Sequence, residues 1–217
     1  GAGEPYLKDM ALAIRYAVDH GADVIVLPQQ NTLYPEDQKV WMNEAIRYAE
    51  SKESLVIVPV WELAYDLSKV EFFPNRWMDG SKELTNLMVI ASSDKNGNPS
   101  MNSNYGAKEL DLFAPGMDIY AAYMGDTYKT GTGAGLASAT VAGVAALVKA
   151  YYPNLTGAQI REILLETVTS RRGVEIEKGI VVNGKRAQDL FLFDDLCLSG
   201  GIVNAYQAVV AADKRSK

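Results

Sequence analysis

The chain has 217 residues, 48% of them hydrophobic and 22% charged, which suits one sizeable globular core or at most two small ones. Its formal net charge of -6, with no long basic block, excludes a protein that tracks a nucleic-acid backbone. A single cysteine, Cys197, excludes an internal disulfide, and a single histidine, His20, means that any Ser–His–Asp or Cys–His site in this chain must use it.

In chain order, Tyr6 to His20 has apolar residues at 7, 10, 11, 14, 17 and 18, the spacing of a helix, with Gly21 just beyond its end. Val24 to Leu27 reads as a buried strand stopped by Pro28. Gln38 to Ser51 is again helical, Leu55 to Val58 a second strand and Leu87 to Ala91 a third. Asp94 to Asn98 is a turn cluster. Leu110 to Phe113 predicts a fourth strand before Ala114-Pro115-Gly116, and Ile119 to Tyr123 a short extended segment. Thr130 to Gly135 reads as a glycine-rich turn feeding a strongly apolar, buried helix over Ala137 to Tyr151, ended by Pro153. Thr156 caps a helix from Gly157 to Thr167, Val181 to Lys185 is a hairpin turn, and Ile202 to Ala212 a last amphipathic helix. Helices alternating with apolar strands predict an α/β fold with a largely parallel sheet, in one domain spanning 1–217. No apolar run reads as long enough to span a bilayer, and no signal peptide is visible. Gly1-Ala2-Gly3 looks like an artificial start, with room for an export signal upstream.

The chemistry-bearing residues are sparse. Gly131-Thr132-Gly133-Ala134-Gly135 could cradle a phosphate, but it lacks the Gly-Lys-Ser/Thr ending of a P-loop. It also lacks the third glycine and following acidic residue of a dinucleotide fingerprint. An anion- or nucleotide-binding module built on 131–135 is therefore a minor alternative, and no cofactor is expected. His20 reads as a helix C-terminal cap. Asp194-Asp195, Glu175 and Glu177 read as solvated surface without metal-ligand spacing, and Cys197 as a small buried hydrophobe.

The order of the pieces carries a resemblance. AIRYAVDHGADVIVL, SLVIVPVWE, LMVIASSDKNGNPSMNSNYG, LDLFAPGMDIYAAY, YKTGTGAGLASATVAGVAALVKAYYPNLTGAQIREIL and SGGIVNAYQAV follow one another as matching segments do in the C-terminal part of the subtilisin-like serine proteases, the subtilases. The match runs from about Tyr6 to Ala212, apart from Ser170 to Leu198. It implies a subtilisin-like three-layer α/β fold lacking the family's N-terminal strands. Many subtilases are secreted, so it also suggests export.

At the chemistry the resemblance breaks. Through Ala137 to Gly143, the family's Gly-Thr-Ser-Met loop aligns with Gly133-Ala134-Gly135-Leu136, which puts Gly135 at the nucleophile position. Matching Gly131-Thr132 to Gly-Thr instead puts Gly133 there, and neither has a hydroxyl, while Ser138 matches a family serine that is not the nucleophile. The Ala-Ala-Gly-Asn segment becomes Pro59-Val60-Trp61-Glu62, with Glu62 in place of the asparagine that donates to the oxyanion. An ionised carboxylate only accepts, and loss of one such donor costs ~10²–10³ in rate. The substrate-pairing Ser-Leu-Gly segment becomes Pro28-Gln29-Gln30, and Pro28 has no N–H to offer a peptide strand. The family's aspartate and histidine lie upstream of the matching segments. The reading is a degenerate subtilase, a pseudoprotease that binds a protein or peptide, with a vestigial groove at Pro28, Gln29, Gln30 and Trp61. The alternative is an active subtilisin-like serine endopeptidase. No metal site is expected. A second copy of the chain, or a preceding segment, is expected to cover the edge of the strand Val24 to Leu27.

Overall fold

The computed structural model describes residues 6–27, 30, 34–77 and 83–216. Five strands form the parallel part of a sheet: β1 (Val24–Val26), β2 (Leu55–Pro59), β3 (Leu87–Ser93), β4 (Leu112–Pro115) and, later in the chain, Gly201–Ile202. The short strand Thr169–Ser170 closes one end, antiparallel to Gly201–Ile202. At the other end β1 pairs only with β2 among the described residues. The side chain of Val26 is exposed there.

Alternation along the strands divides the core into two layers. Val56, Val58, Leu87, Val89 and Ala91 pack with helices α1 (Leu7–Asp19) and α2 (Glu36–Ser51) on one face. Leu55, Ile57, Met88, Ile90 and Leu112 meet α3 (Ala134–Tyr151), α4 (Gly157–Glu166) and α5 (Ala205–Arg215) on the other. β2 and β3 are buried throughout, as strands covered on both faces must be. The three-layer α/β fold with a largely parallel sheet is the one expected.

Several boundaries differ from the sequence reading. α3 starts at Ala134, three residues early, because Gly133 N donates to Gly116 O (2.8 Å) and fixes the start of the helix. A Cβ on Gly116 would lie 2.8 Å from the Ala137 Cβ, so only glycine lets the turn after β4 approach this helix so closely. The last helix begins at Ala205, not Ile202. Gly201–Ile202 pairs with Phe113 and with Thr169–Ser170, and the Asn204 side chain caps the helix by accepting from Gln207 N (3.0 Å). The segment 127–131 is not a plain turn: Thr127–Gly131 pairs antiparallel with Ile119–Tyr123 in an exposed hairpin. Both of its faces meet solvent, so it carries no apolar alternation to read. The turn foreseen at Val181 to Lys185 joins the strands Glu175–Val182 and Lys185–Leu192, with Asn183 and Gly184 both at positive φ.

The view that no run could span a bilayer is also corrected. α3 is long and apolar enough by length and composition. Its Ala137, Val141, Ala145 and Val148 pack on the sheet, as in a core helix.

A buried ionic cluster joins these layers. Asp111, fully buried just before β4, accepts from Arg161 Nη2 of α4 (2.8 Å), from Arg76 Nη1 (2.5 Å) and, through Oδ2, from Val89 N of β3 (2.7 Å). Removing one partner of such a group leaves an uncompensated buried charge, at a cost of ~3–5 kcal/mol. Asp111→Asn is therefore expected to lower the unfolding free energy in urea by about that amount. Glu44→Gln, in the exposed Arg15–Glu44 pair, should change it by about 0.5 kcal/mol or less.

Candidate functional site

The carboxyl ends of β2, β3 and β4 and the start of α3 converge, the position where open α/β sheets place their ligands. β2 runs out through Val60 and Trp61 to Glu62. That loop is held by Asn104, whose Oδ1 accepts from Leu63 N (3.2 Å) and Tyr65 N (3.0 Å), while Asn104 N donates to Trp61 O (3.1 Å). Glu62 Oε1 accepts from Ser92 Oγ of β3 at 2.6 Å. Its other oxygen faces the start of α3, where a Cβ built on Gly133 would lie 3.7 Å from Oε2. A carboxylate there is favoured by the positive end of the helix dipole. At the same place it opposes any second anion.

Gly135 is the second residue of α3, is exposed, and has open space where a Cβ would stand. Ser138 is buried one turn further on, and its Oγ has no hydrogen-bond partner among the described residues. Trp61 is half-buried and packs edge-on against Phe72, with ring centroids 6.0 Å apart. Gln30 is buried, and its Nε2 donates to Pro74 O at 2.8 Å. Pro28 and Gln29 lie outside the described residues. The structure thus brings Glu62, Trp61 and the Gly133–Gly135 turn together.

His20 is elsewhere. It follows α1 and precedes β1, at the amino end of the parallel strands, and its Nδ1 is 2.8 Å from Tyr16 O while its ring stacks on Tyr16. Cys197 is buried, and burial pushes its thiol pKa up, the opposite of what a nucleophile needs. Asp194 is not idle surface: it accepts from Gly173 N (2.7 Å) and Arg172 Nη1 (2.8 Å). Among the described residues no three His, Cys, Asp or Glu side chains are placed to hold a metal ion.

Sequence reasoning missed Ser92, Asn104 and Lys178. Lys178 belongs to the strand Glu175–Val182 and is fully buried. Its Nζ donates to Met101 O (3.0 Å) and Ser103 O (2.5 Å), fastening the hairpin to the segment that carries Asn104. Desolvation pulls its pKa down to about 7, against the opposing field of Glu62. A neutral amine has two N–H groups, enough for both carbonyls. The available signal was register: Ile176, Lys178 and Ile180 share the inward face of an alternating strand.

These features define a subtilisin-like α/β protein, and the sequence comparison gives its family. The chain belongs to the subtilase family, whose model matches residues 1–184. Among curated relatives, subtilisin BL of Lederbergia lenta is 38% identical over 185 residues, 85% of this chain and 63% of the relative. A thermostable alkaline protease of Halalkalibacterium halodurans is 41% identical over 83 residues, 38% of this chain and 23% of the relative. The chain therefore spans less than two thirds of the curated relatives it matches. Among solved structures, the prenylagaramide maturation protease PagA superposes with a TM-score of 0.72 over 98% of this chain and 69% of its own, at 21% identity. A protease from Pseudoalteromonas arctica PAMC 21717 superposes with a TM-score of 0.70 over 94% of this chain and 58% of its own, at 25% identity.

Lys178 leads to a pH prediction. Its folded pKa lies below the unfolded value of 10.5, so between about pH 7 and 10.5 the unfolded chain holds the extra proton. Stability therefore rises with pH through that window, and below it the full cost of burying the cation is present. Between pH 7 and 9 the unfolding free energy of the unmodified chain should rise by about 2 kcal/mol more than that of Lys178→Met, measured by urea titration.

Proposed function

We propose that this chain is a catalytically inert member of the subtilase family that acts by binding a protein or peptide. The observation that carries the reading is the turn at the start of α3. Gly135 offers no nucleophile at the position that the order of the sequence motifs gives to one, and the Glu62 carboxylate lies against the same turn. An oxyanion formed there would meet a negative charge in place of a donor. The only histidine of the chain is at the amino end of the sheet, held by Tyr16. The same carboxylate argues against a phosphate or nucleotide on the 131–135 loop, because that anion would compete with Glu62 for the helix terminus.

A fluorophosphonate probe tests this directly. The purified chain is expected to remain unlabelled and to leave a broad peptide library uncut. Gly135→Ser should fold with stability equal to or a few tenths of a kcal/mol above the parent, since the space is open and serine is the better helix former, and should remain unlabelled for lack of a base. Labelling of the parent, abolished by mutating one serine, would establish the active endopeptidase instead.

A binding role is also supported by the β1 edge. Its backbone groups face no partner strand among the described residues, and Val26 is exposed beside them. We infer that a polypeptide, either a second copy or a further segment of the same protein, covers it. Light scattering should show a dimer or larger species for residues 1–217 alone, and a lower mass for Val26→Lys; a clean monomer at high concentration removes the second copy.

A further inference from the structure

A cavity of about 580 Å³ lies between α2 and the loops around residues 67–77 and 109, and Phe72, whose ring also packs on Trp61, is part of its wall. Its walls combine three carboxylates, Glu36, Glu71 and Glu109, with the rings of Phe72 and Trp77. Glu36 and Glu71 share one ammonium group: Lys39 Nζ is 2.5 Å from the first and 3.6 Å from the second. Lys69, also on the wall, is matched by Asp66 at 2.9 Å. Four carboxylates thus face two ammonium groups, and Glu109 has no ion pair among the described residues.

An independent observation comes from the wall at Gln30. This residue is 2% exposed. The bond from Nε2 to Pro74 O fixes which way the amide points, and Oε1 is then a buried acceptor with no hydrogen-bond partner and almost no accessible surface, so a ligand must shift neighbouring atoms to reach it. A buried acceptor left unmade costs free energy that a ligand donor would recover.

We propose that this cavity binds a guanidinium group on an alkyl stem, the side chain of an arginine in a protein or peptide. A guanidinium carries five N–H donors in one plane, enough to meet the Gln30 carbonyl and a carboxylate together, and its flat face suits an aromatic wall. The Arg76 guanidinium already lies 4.7 Å from the centre of the Trp77 ring, so this ring accepts such a group. A metal ion fits less well: the carboxylates are spread around the cavity, and no three of them converge. The site shares Gln30 with the expected groove but includes neither Glu62 nor Gly135, so it stands or falls without regard to hydrolysis.

The test is isothermal titration of the chain at low ionic strength with capped Gly-Arg-Gly, the same peptide with citrulline or norleucine in place of arginine, and free L-arginine. Citrulline keeps the shape and loses the charge. The arginine peptide is expected to bind at least about tenfold more tightly than the citrulline peptide, and Glu109→Gln should weaken it about three- to tenfold while Glu44→Gln leaves it unchanged. Chemical-shift changes should centre on the Trp77 indole and the Gln30 amide. Free arginine binding as well as the peptide would assign the site to a small guanidinium; weaker binding of free arginine assigns it to a polypeptide. Equal binding of arginine and citrulline, no binding at ~10 mM, or an unchanged affinity in Glu109→Gln would overturn the proposal.

Discussion

The buried carboxylate of Asp111 is the constraint on which the remaining architecture rests. It sits just before β4 and joins β3, α4 and the loop that carries Arg76. Its oxygens hold a β3 amide, an α4 guanidinium and the Arg76 guanidinium at once. Arg76 in turn donates to Lys108 O, which ties the 72–77 loop to the segment leading into β4. A charge in this position is costly to bury alone, so the three partners are mutually required. The sheet could form from its apolar strands without it; the loop that carries Phe72, Pro74 and Trp77 would lose its buried ionic anchor and keep only its packing, the Gln30 bond to Pro74 O and the pairing of Arg76 with Glu83.

That loop shapes both regions described above. Phe72 supports Trp61, next to Glu62, and with Trp77 is also part of the wall of the acidic cavity. The Gln30 amide holds the same loop at Pro74 O. A second set of constraints acts from the opposite flank, where Lys178 and Asn104 hold the 61–65 loop through backbone carbonyls and amides. Gly179 belongs to this docking too, since a Cβ there would lie 2.3 Å from Met101 O. Glu62 is therefore positioned by packing from both sides, and Ser92 completes its hydrogen bonding.

Much of this was legible in the sequence, for identifiable reasons. The strands Leu55–Pro59 and Leu87–Ser93 are continuous apolar runs because helices cover both of their faces. The capping box of Thr156 with Gln159 announces α4, and the Asn183-Gly184 pair announces the second hairpin. The hairpin Ile119–Gly131 was half hidden, because a ribbon exposed on both faces has no hydrophobic period. The end strand Gly201–Ile202 was absorbed into the last helix, because a two-residue strand has no periodicity of its own and is defined only by its neighbours. At the site, Glu62 and Gly135 could be singled out from order along the chain. Their connection to Ser92, Asn104 and Lys178 could not, because it depends on contacts between residues 30 to more than 70 positions apart.

On the proposed reading, the electrostatics of the α3 terminus bear on what a single restored hydroxyl would do. A serine at position 135 would supply a hydroxyl at a helix start, where a developing negative charge is ordinarily welcome. Here that field already acts on Glu62, which is also hydrogen-bonded to Ser92 and within the field of Lys178. An incoming oxyanion would have to displace a carboxylate secured by its surroundings, or share the site with it at close range. Either costs more than a single added donor returns. On the reading proposed above, the changes that matter at this terminus are a donor in place of Glu62 and a hydroxyl in place of Gly135, while His20 lies at the amino end of the sheet.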